Sequence, residues 1–224
     1  MKDFSAPAIH IFFKDSHSEL RTRYAMNALL MFVVTALALV LFSVGNEVVG
    51  TDVLSGILWV IIFFSGMSGL SRTFVSEEER GTVVTLQLLS RPTSVLLGKL
   101  LFNFVLILSL NVLIAVLYLL MVSRFVILTP SIFWVTIFLG SCSLASSSTI
   151  IAAIIAKANT KGTLYPVLSF PIMLPLLLTV MNATRLSTEG AAFSEAFGEF
   201  QILVSYTVVV ITVSILLFSF VWKD

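Results

Sequence analysis

Six stretches without Asp, Glu, Lys or Arg dominate the chain: Tyr24–Asn46, Val53–Ser71, Leu100–Ser123, Phe125–Ala156, Gly162–Thr184 and Phe200–Trp222. They run 23, 19, 24, 32, 23 and 23 residues, and no other charge-free stretch exceeds 10. A helix needs about 20 mostly apolar residues to cross the hydrocarbon core of a bilayer. Each stretch therefore reads as one membrane span. The 32-residue stretch is too long for an ordinary span. Thr129-Pro130-Ser131 marks its start, because Pro suits the first helical turn. The spans are expected at about 25–45, 53–72, 99–122, 131–156, 163–182 and 200–222.

Composition closes the other classes. Apolar residues make up 58% of the 224-residue chain and charged residues only 11%, against about 25% in a soluble domain. The mean hydropathy is +1.07. A soluble fold of this size would expose large apolar patches and aggregate. A soluble enzyme and a disordered tail are excluded. The net charge of +1 and pI near 7.9 give no basic field for nucleic acid. Cys142 is the single cysteine, so no intrachain disulfide framework or Cys-based zinc site is available.

Orientation follows from Lys and Arg in the flanks and loops. With six spans both termini lie on one side. That side collects Lys2, Lys14, Arg21, Arg23, Arg72, Arg80, Arg91, Lys99, Lys157, Lys161 and Lys223; the other has only Arg124 and Arg185. Eleven against two predicts cytoplasmic termini. Glu47, Asp52, Glu189, Glu195 and Glu199 fall outside. The first apolar run is long enough to stay as a span, so no cleaved signal peptide is expected.

Residues 1–24 are expected to form an amphipathic cytoplasmic segment ahead of a membrane domain over 25–224. Ile9, Phe12, Phe13, Leu20 and Tyr24 supply its apolar side, and Lys14, Asp15, Glu19, Arg21 and Arg23 its wet side. A solvated juxtamembrane helix is the plainer reading; a surface for a cytosolic partner is the sharper one. The longest cytoplasmic loop, 73–95, opens with Ser76-Glu77-Glu78-Glu79, an N-cap with Glu79 in the capping-box position. Arg80-Gly81-Thr82 then breaks or redirects the helix. Val83, Val84, Leu86, Leu88 and Leu89 follow, and Arg91-Pro92 stops the element. A short, half-apolar helical hairpin beneath the membrane fits this pattern.

The fourth span is rich in small residues from Gly140 to Ser148, which favours close helix packing over a polar substrate path. Pro166, Pro171 and Pro175 must disturb the fifth span's backbone ladder, as a gating kink or a static bend. Phe193, Phe197 and Phe200 suggest an outer helix dipping into the headgroups, or an ordinary interfacial anchor. No span centre carries the charges that ion-coupled transporters place at membrane depth. Gly98-Lys99 lacks the rest of a Walker A sequence. His10 and His17 are the only histidines, so neither a hydrolase arrangement nor a single-chain haem site is expected.

Glu78-Glu79-Arg80-Gly81-Thr82, Leu86, Leu88-Leu89, Pro92 and Gly98-Lys99 together resemble the cytoplasmic loop of ABC-2-type exporter permeases. That resemblance implies an all-α polytopic protein with six transmembrane helices, cytoplasmic N- and C-termini and a cytoplasmic coupling helix after the second span. It also implies a homodimer clamped to separate ATPase subunits. More narrowly the chain resembles the CcmB family of haem exporter permeases of cytochrome c maturation. The matching residues are Lys14-Asp15, Glu19 to Tyr24, Gly56 to Val60, the loop, and Leu168–Leu178 with Pro171 and Pro175. The resemblance implies a CcmA-like ATPase, CcmC-like and CcmD-like membrane partners and a CcmE-like periplasmic haem chaperone. It places the chain in a bacterial inner membrane, non-catalytic and without a cofactor of its own. ATP would be used on the partner, with haem as transported or handled substrate. Glu78, Glu79, Arg80, Gly81, Thr82, Leu86 and Pro92 are then the expected ATPase-coupling residues. Two other functions compete: export of another amphiphile such as a drug, lipid or glycan, and a membrane scaffold that transports nothing.

Overall fold

The computed structural model describes residues 5–21, 23–44, 49–70, 74, 77, 81–83, 86, 88, 90–156 and 161–222. Among them all regular structure is helical: α1 (Ser5–Arg21), α2 (Arg23–Val44), α3 (Thr51–Leu70), α4 (Pro92–Met121), α5 (Pro130–Ala156), α6 (Lys161–Glu189) and α7 (Phe197–Val221). Helices α3, α4, α5 and α7, with Asn27–Val44 of α2 and Val167–Glu189 of α6, are each long and apolar enough to cross a membrane. The expectation of an all-α, six-span protein holds.

Local chemistry sets the helix ends. Pro92 opens α4 after Arg91 in extended conformation, and Pro130 opens α5, as the missing proline N–H allows. Helix α4 therefore begins within the expected loop 73–95, and Lys99 lies two turns inside it. Helix α6 runs past the expected end at 182 to Glu189. It stops at Gly190, φ +77, where the Ala191 N–H bonds the Leu186 carbonyl at 3.1 Å. That is the six-to-one closure of a Schellman motif. The expected outer helix around Phe193 is instead a turn, and helix resumes at Phe197. There Phe193 packs on Phe200 with ring centroids 5.3 Å apart.

Helix α5 is the centre of the bundle. Of its most apolar 18-residue stretch 78% is buried, against 22% for α2 and 17% for α7. It packs on α6, α4 and α7, with α3 behind. The small residues make this possible: a Cβ on Gly140 would stand 2.5 Å from Trp59 Cη2 of α3. Trp59 also donates its Nε1–H to Thr184 Oγ1 of α6 at 2.7 Å. Asn103 and Asn111 of α4 donate to Thr149 Oγ1 and Ser141 Oγ of α5, at 2.8 and 2.9 Å. Ser143 pairs with Thr207 at 2.7 Å and Ser147 with Tyr206 at 2.9 Å, joining α5 to α7. The fourth span's hydroxyls are thus packing contacts.

The proline-bearing α6 is continuous helix as a whole. Tyr206 of α7 donates to the Ile172 carbonyl at 2.9 Å. Ile172 lies three residues before Pro175, where the proline ring loosens the ladder. Pro175 removes the N–H that would bond the Pro171 carbonyl, so the cross-helix bond lies one residue from that gap. Valines, leucines and phenylalanines exposed on α2, α4, α6 and α7 form the outward, lipid-facing surface.

Candidate functional site

The loop between α3 and α4 is anchored at one end of the bundle. Gly81 adopts φ +66, and the Thr82 N–H bonds the Glu77 carbonyl at 3.1 Å. This repeats the closure at Gly190, at the point where Arg80-Gly81-Thr82 is expected to break or redirect the helix. Beyond it the Leu86 N–H bonds Thr82 O and the Ser90 N–H bonds Leu86 O, both at 3.0 Å. Those are helical spacings. Leu86 packs against the main core and Val83 is buried, while Leu88 is exposed. A Cβ at Gly81 would meet nothing within 4 Å. A side chain there is opposed by backbone conformation alone. Glu78, Glu79 and Arg80 of the expected coupling set lie outside the described residues. Gly81, Thr82, Leu86 and Pro92 share this end of the bundle.

Under the loop sits a closed ring of four charges. Lys14 Nζ donates to Glu77 Oε1 at 2.6 Å and lies 3.5 Å from Asp15 Oδ1. Lys99 Nζ lies 3.1 Å from Asp15 Oδ2 and 3.4 Å from Glu77 Oε1. Cations and carboxylates alternate, so each charge has two opposite neighbours. The side chains of Lys99, Glu77 and Asp15 are 1%, 8% and 10% exposed; Lys14, at 47%, forms the wet edge. Thr82 Oγ1 closes on Glu77 Oε2 by a short hydrogen bond. Lys99 Nζ also stands 5.1 Å from the centre of the Phe74 ring. Phe74 in turn packs on Phe218 and Trp222 at the end of α7.

Within the ring, electrostatics favour the charged forms of Glu77 and Lys14. Burial alone would raise the Glu77 pKa; the charge of Lys99 and the hydrogen bonds from Lys14 and Thr82 override it and hold it at about 2. Burial lowers that of Lys14, but the Glu77 hydrogen bond and the Asp15 charge leave it raised.

The N-terminal helix departs from its expected polarity. Lys14 and Asp15, assigned to the wet side, are ring members. Ile9 and Phe13, assigned to the apolar contact, lie on the outer surface of the chain, and Ile11 is buried. The turn of helix that buries Ile11 also buries Asp15, four residues on. Close approach explains this: a Cβ on Gly98 of α4 would stand 2.7 Å from the Ala8 carbonyl oxygen. His10 and His17 face outward. The ring's role was missed in sequence because its members lie far apart, Lys14 and Glu77 by 63 positions. One signal was present: if Pro92 opens a helix, Lys99 must lie inside it and needs a partner.

Six long apolar helices among the described residues define a multi-pass membrane protein. The model of the CcmB protein family matches residues 7–221, and the chain belongs to that family, whose members are permeases of cytochrome c biogenesis. No curated protein matches the chain significantly.

Proposed function

We propose that the chain is the transmembrane permease subunit of an ATP-driven complex for haem export or haem-chaperone release in c-type cytochrome biogenesis. The observation that carries this reading is the family match over residues 7–221. The loop end, rich in Lys and Arg, faces the cytoplasm of a bacterial inner membrane, and both termini lie there. A CcmA-like ATPase binds at that end through residues 76–92, with Glu78, Glu79 and Arg80 at the contact and Gly81, Thr82, Leu86 and Pro92 holding its shape. The chain binds no cofactor; ATP is hydrolysed on the partner and haem is cargo. A homodimer works with CcmC-like and CcmD-like membrane proteins and a CcmE-like haem chaperone.

The test is removal of the chain from cells that make c-type cytochromes, with purification of a tagged copy. Holo-cytochromes c should disappear while their apoproteins persist, and a small ATPase should co-purify. Undiminished holo-cytochromes would overturn the reading in favour of export of another amphiphile. Maturation that persists with an ATPase-dead partner would instead make the chain a scaffold.

A further inference from the structure

We propose that the ring of Lys14, Asp15, Lys99 and Glu77 is the joint that passes loop movement into the membrane, to α4 and the N-terminal helix together. This rests on the permease reading and names the positioning residues within it. Three separate segments contribute: α1 gives Lys14 and Asp15, the loop gives Glu77, and α4 gives Lys99. No two of them are held together by a shared helix. The loop's contribution is the most constrained, since the Gly81 turn fixes the Glu77 carbonyl and Thr82 fixes its carboxylate. A push on residues 82–90 therefore reaches Glu77 first. Glu77 is bonded to both lysines, one on each helix. Phe74 couples the same point to the end of α7.

Stability alone is a weak reason for such a ring. Buried ion pairs contribute little beyond what well-packed apolar residues would, whereas their directionality fixes register. A ring of alternating charges tolerates only one mutual placement of its three segments. Sliding α1 by one residue against α4 would break the Asp15–Lys99 contact or bring Lys14 towards Lys99. The interface is thus suited to carry displacement rather than to absorb it. The close contact of Gly98 with the α1 backbone removes slack beside it.

Alternation gives a specific test, because inverting all four signs preserves all four contacts. Two variants are needed: Lys14→Met, which opens the ring at its exposed edge, and the full inversion Lys14→Glu, Asp15→Lys, Glu77→Lys, Lys99→Glu. Each is made in a Cys142→Ser background with nitroxide labels at the exposed positions Phe13→Cys and Leu88→Cys, and reconstituted in nanodiscs. The label distance should be single and narrow with the native ring. It should broaden on opening and narrow again on inversion. In cells, Lys14→Met should leave membrane level and ATPase co-purification intact. Cytochrome matured per ATP hydrolysed should fall roughly tenfold, the size expected for one charge-assisted contact, and inversion should restore most of it. The label distances need no ATPase, so they test the joint even if the permease reading fails. A narrow distance in Lys14→Met overturns the proposal. So does undiminished coupling in that variant, or an inverted ring that inserts but restores neither readout.

Discussion

Where α1, the loop and α4 meet, contact is made by four formal charges. In the middle of the bundle α4, α5 and α7 meet through neutral hydroxyls and amides: Asn103 with Thr149, Asn111 with Ser141, Ser143 with Thr207 and Ser147 with Tyr206. Depth explains the contrast. A lone charge at the bilayer centre is costly, whereas a hydroxyl can fall back on its own helix carbonyl. Thr149 does so, bonding the Ala145 carbonyl at 2.6 Å. The neutral contacts are therefore forgiving on the hydroxyl side, since each hydroxyl has a backbone carbonyl as a substitute. The ring is not: Lys99 is 1% exposed and depends on its partners for charge compensation. The difference separates a core that holds the helices together from a junction that fixes how they move.

The sharpest way to break this contrast is Lys99→Ala. It leaves Asp15 and Glu77 with only the half-exposed Lys14 between them, and loss of one partner from a buried pair costs about 3–5 kcal/mol. Thermal unfolding of the purified protein in detergent should show a large fall in the transition temperature, and a fall no larger than that of a core hydroxyl variant would remove the distinction. Acid should come next. The Glu77 pKa is depressed from 4.5 to about 2 in the folded chain. Its contribution is fully present above pH 4.5 and is lost as pH falls towards about 2. Stability of the native ring should decline through that window, and Glu77→Gln should flatten the decline; an unchanged profile in Glu77→Gln would show that other carboxylates govern acid sensitivity.

In the neutral core, Asn103→Leu should cost about 1 kcal/mol, in the range of hydrogen bonds between membrane helices. Chemical denaturation with Thr149→Val as the second arm of a double-mutant cycle measures it, and a coupling as large as the Lys99 effect would contradict the comparison. The smallest effect is expected for His10→Ala with His17→Ala. Both side chains face outward. Holo-cytochrome yield should stay near that of the parent, and its loss at normal protein level would show that α1 handles haem.

The spans were legible in the sequence because a charge-free run of membrane length has few alternative uses. Pro130 marked the start of α5 by its missing donor, and the small residues of α5 marked the tightest packing. Gly81 was legible as a turn because few other residues tolerate positive φ. The outer turn at Phe193 and the length of α6 were not, since aromatic and apolar residues serve both helix and interface. The burial of Asp15 on α1 was not legible for a related reason. Periodicity cannot tell a solvated carboxylate from one buried against a lysine 84 positions away, as Asp15 is with Lys99. Long-range charge pairing is a tertiary fact with no local signature.

The central claim, that a partner ATPase drives this permease through the loop, is tested most directly at Gly81. Substitution there meets no neighbouring atom, so its effect reports the turn and not a clash. Gly81→Val places a β-branched residue at φ +66, a true outlier for that side chain. The measurement is ATP turnover of the ATPase reconstituted with the variant in nanodiscs, read beside its co-purification yield and holo-cytochrome formation. The account predicts normal insertion with weakened co-purification, or with ATP turnover that no longer matures cytochromes. Normal partner binding, turnover and maturation in Gly81→Val would contradict it.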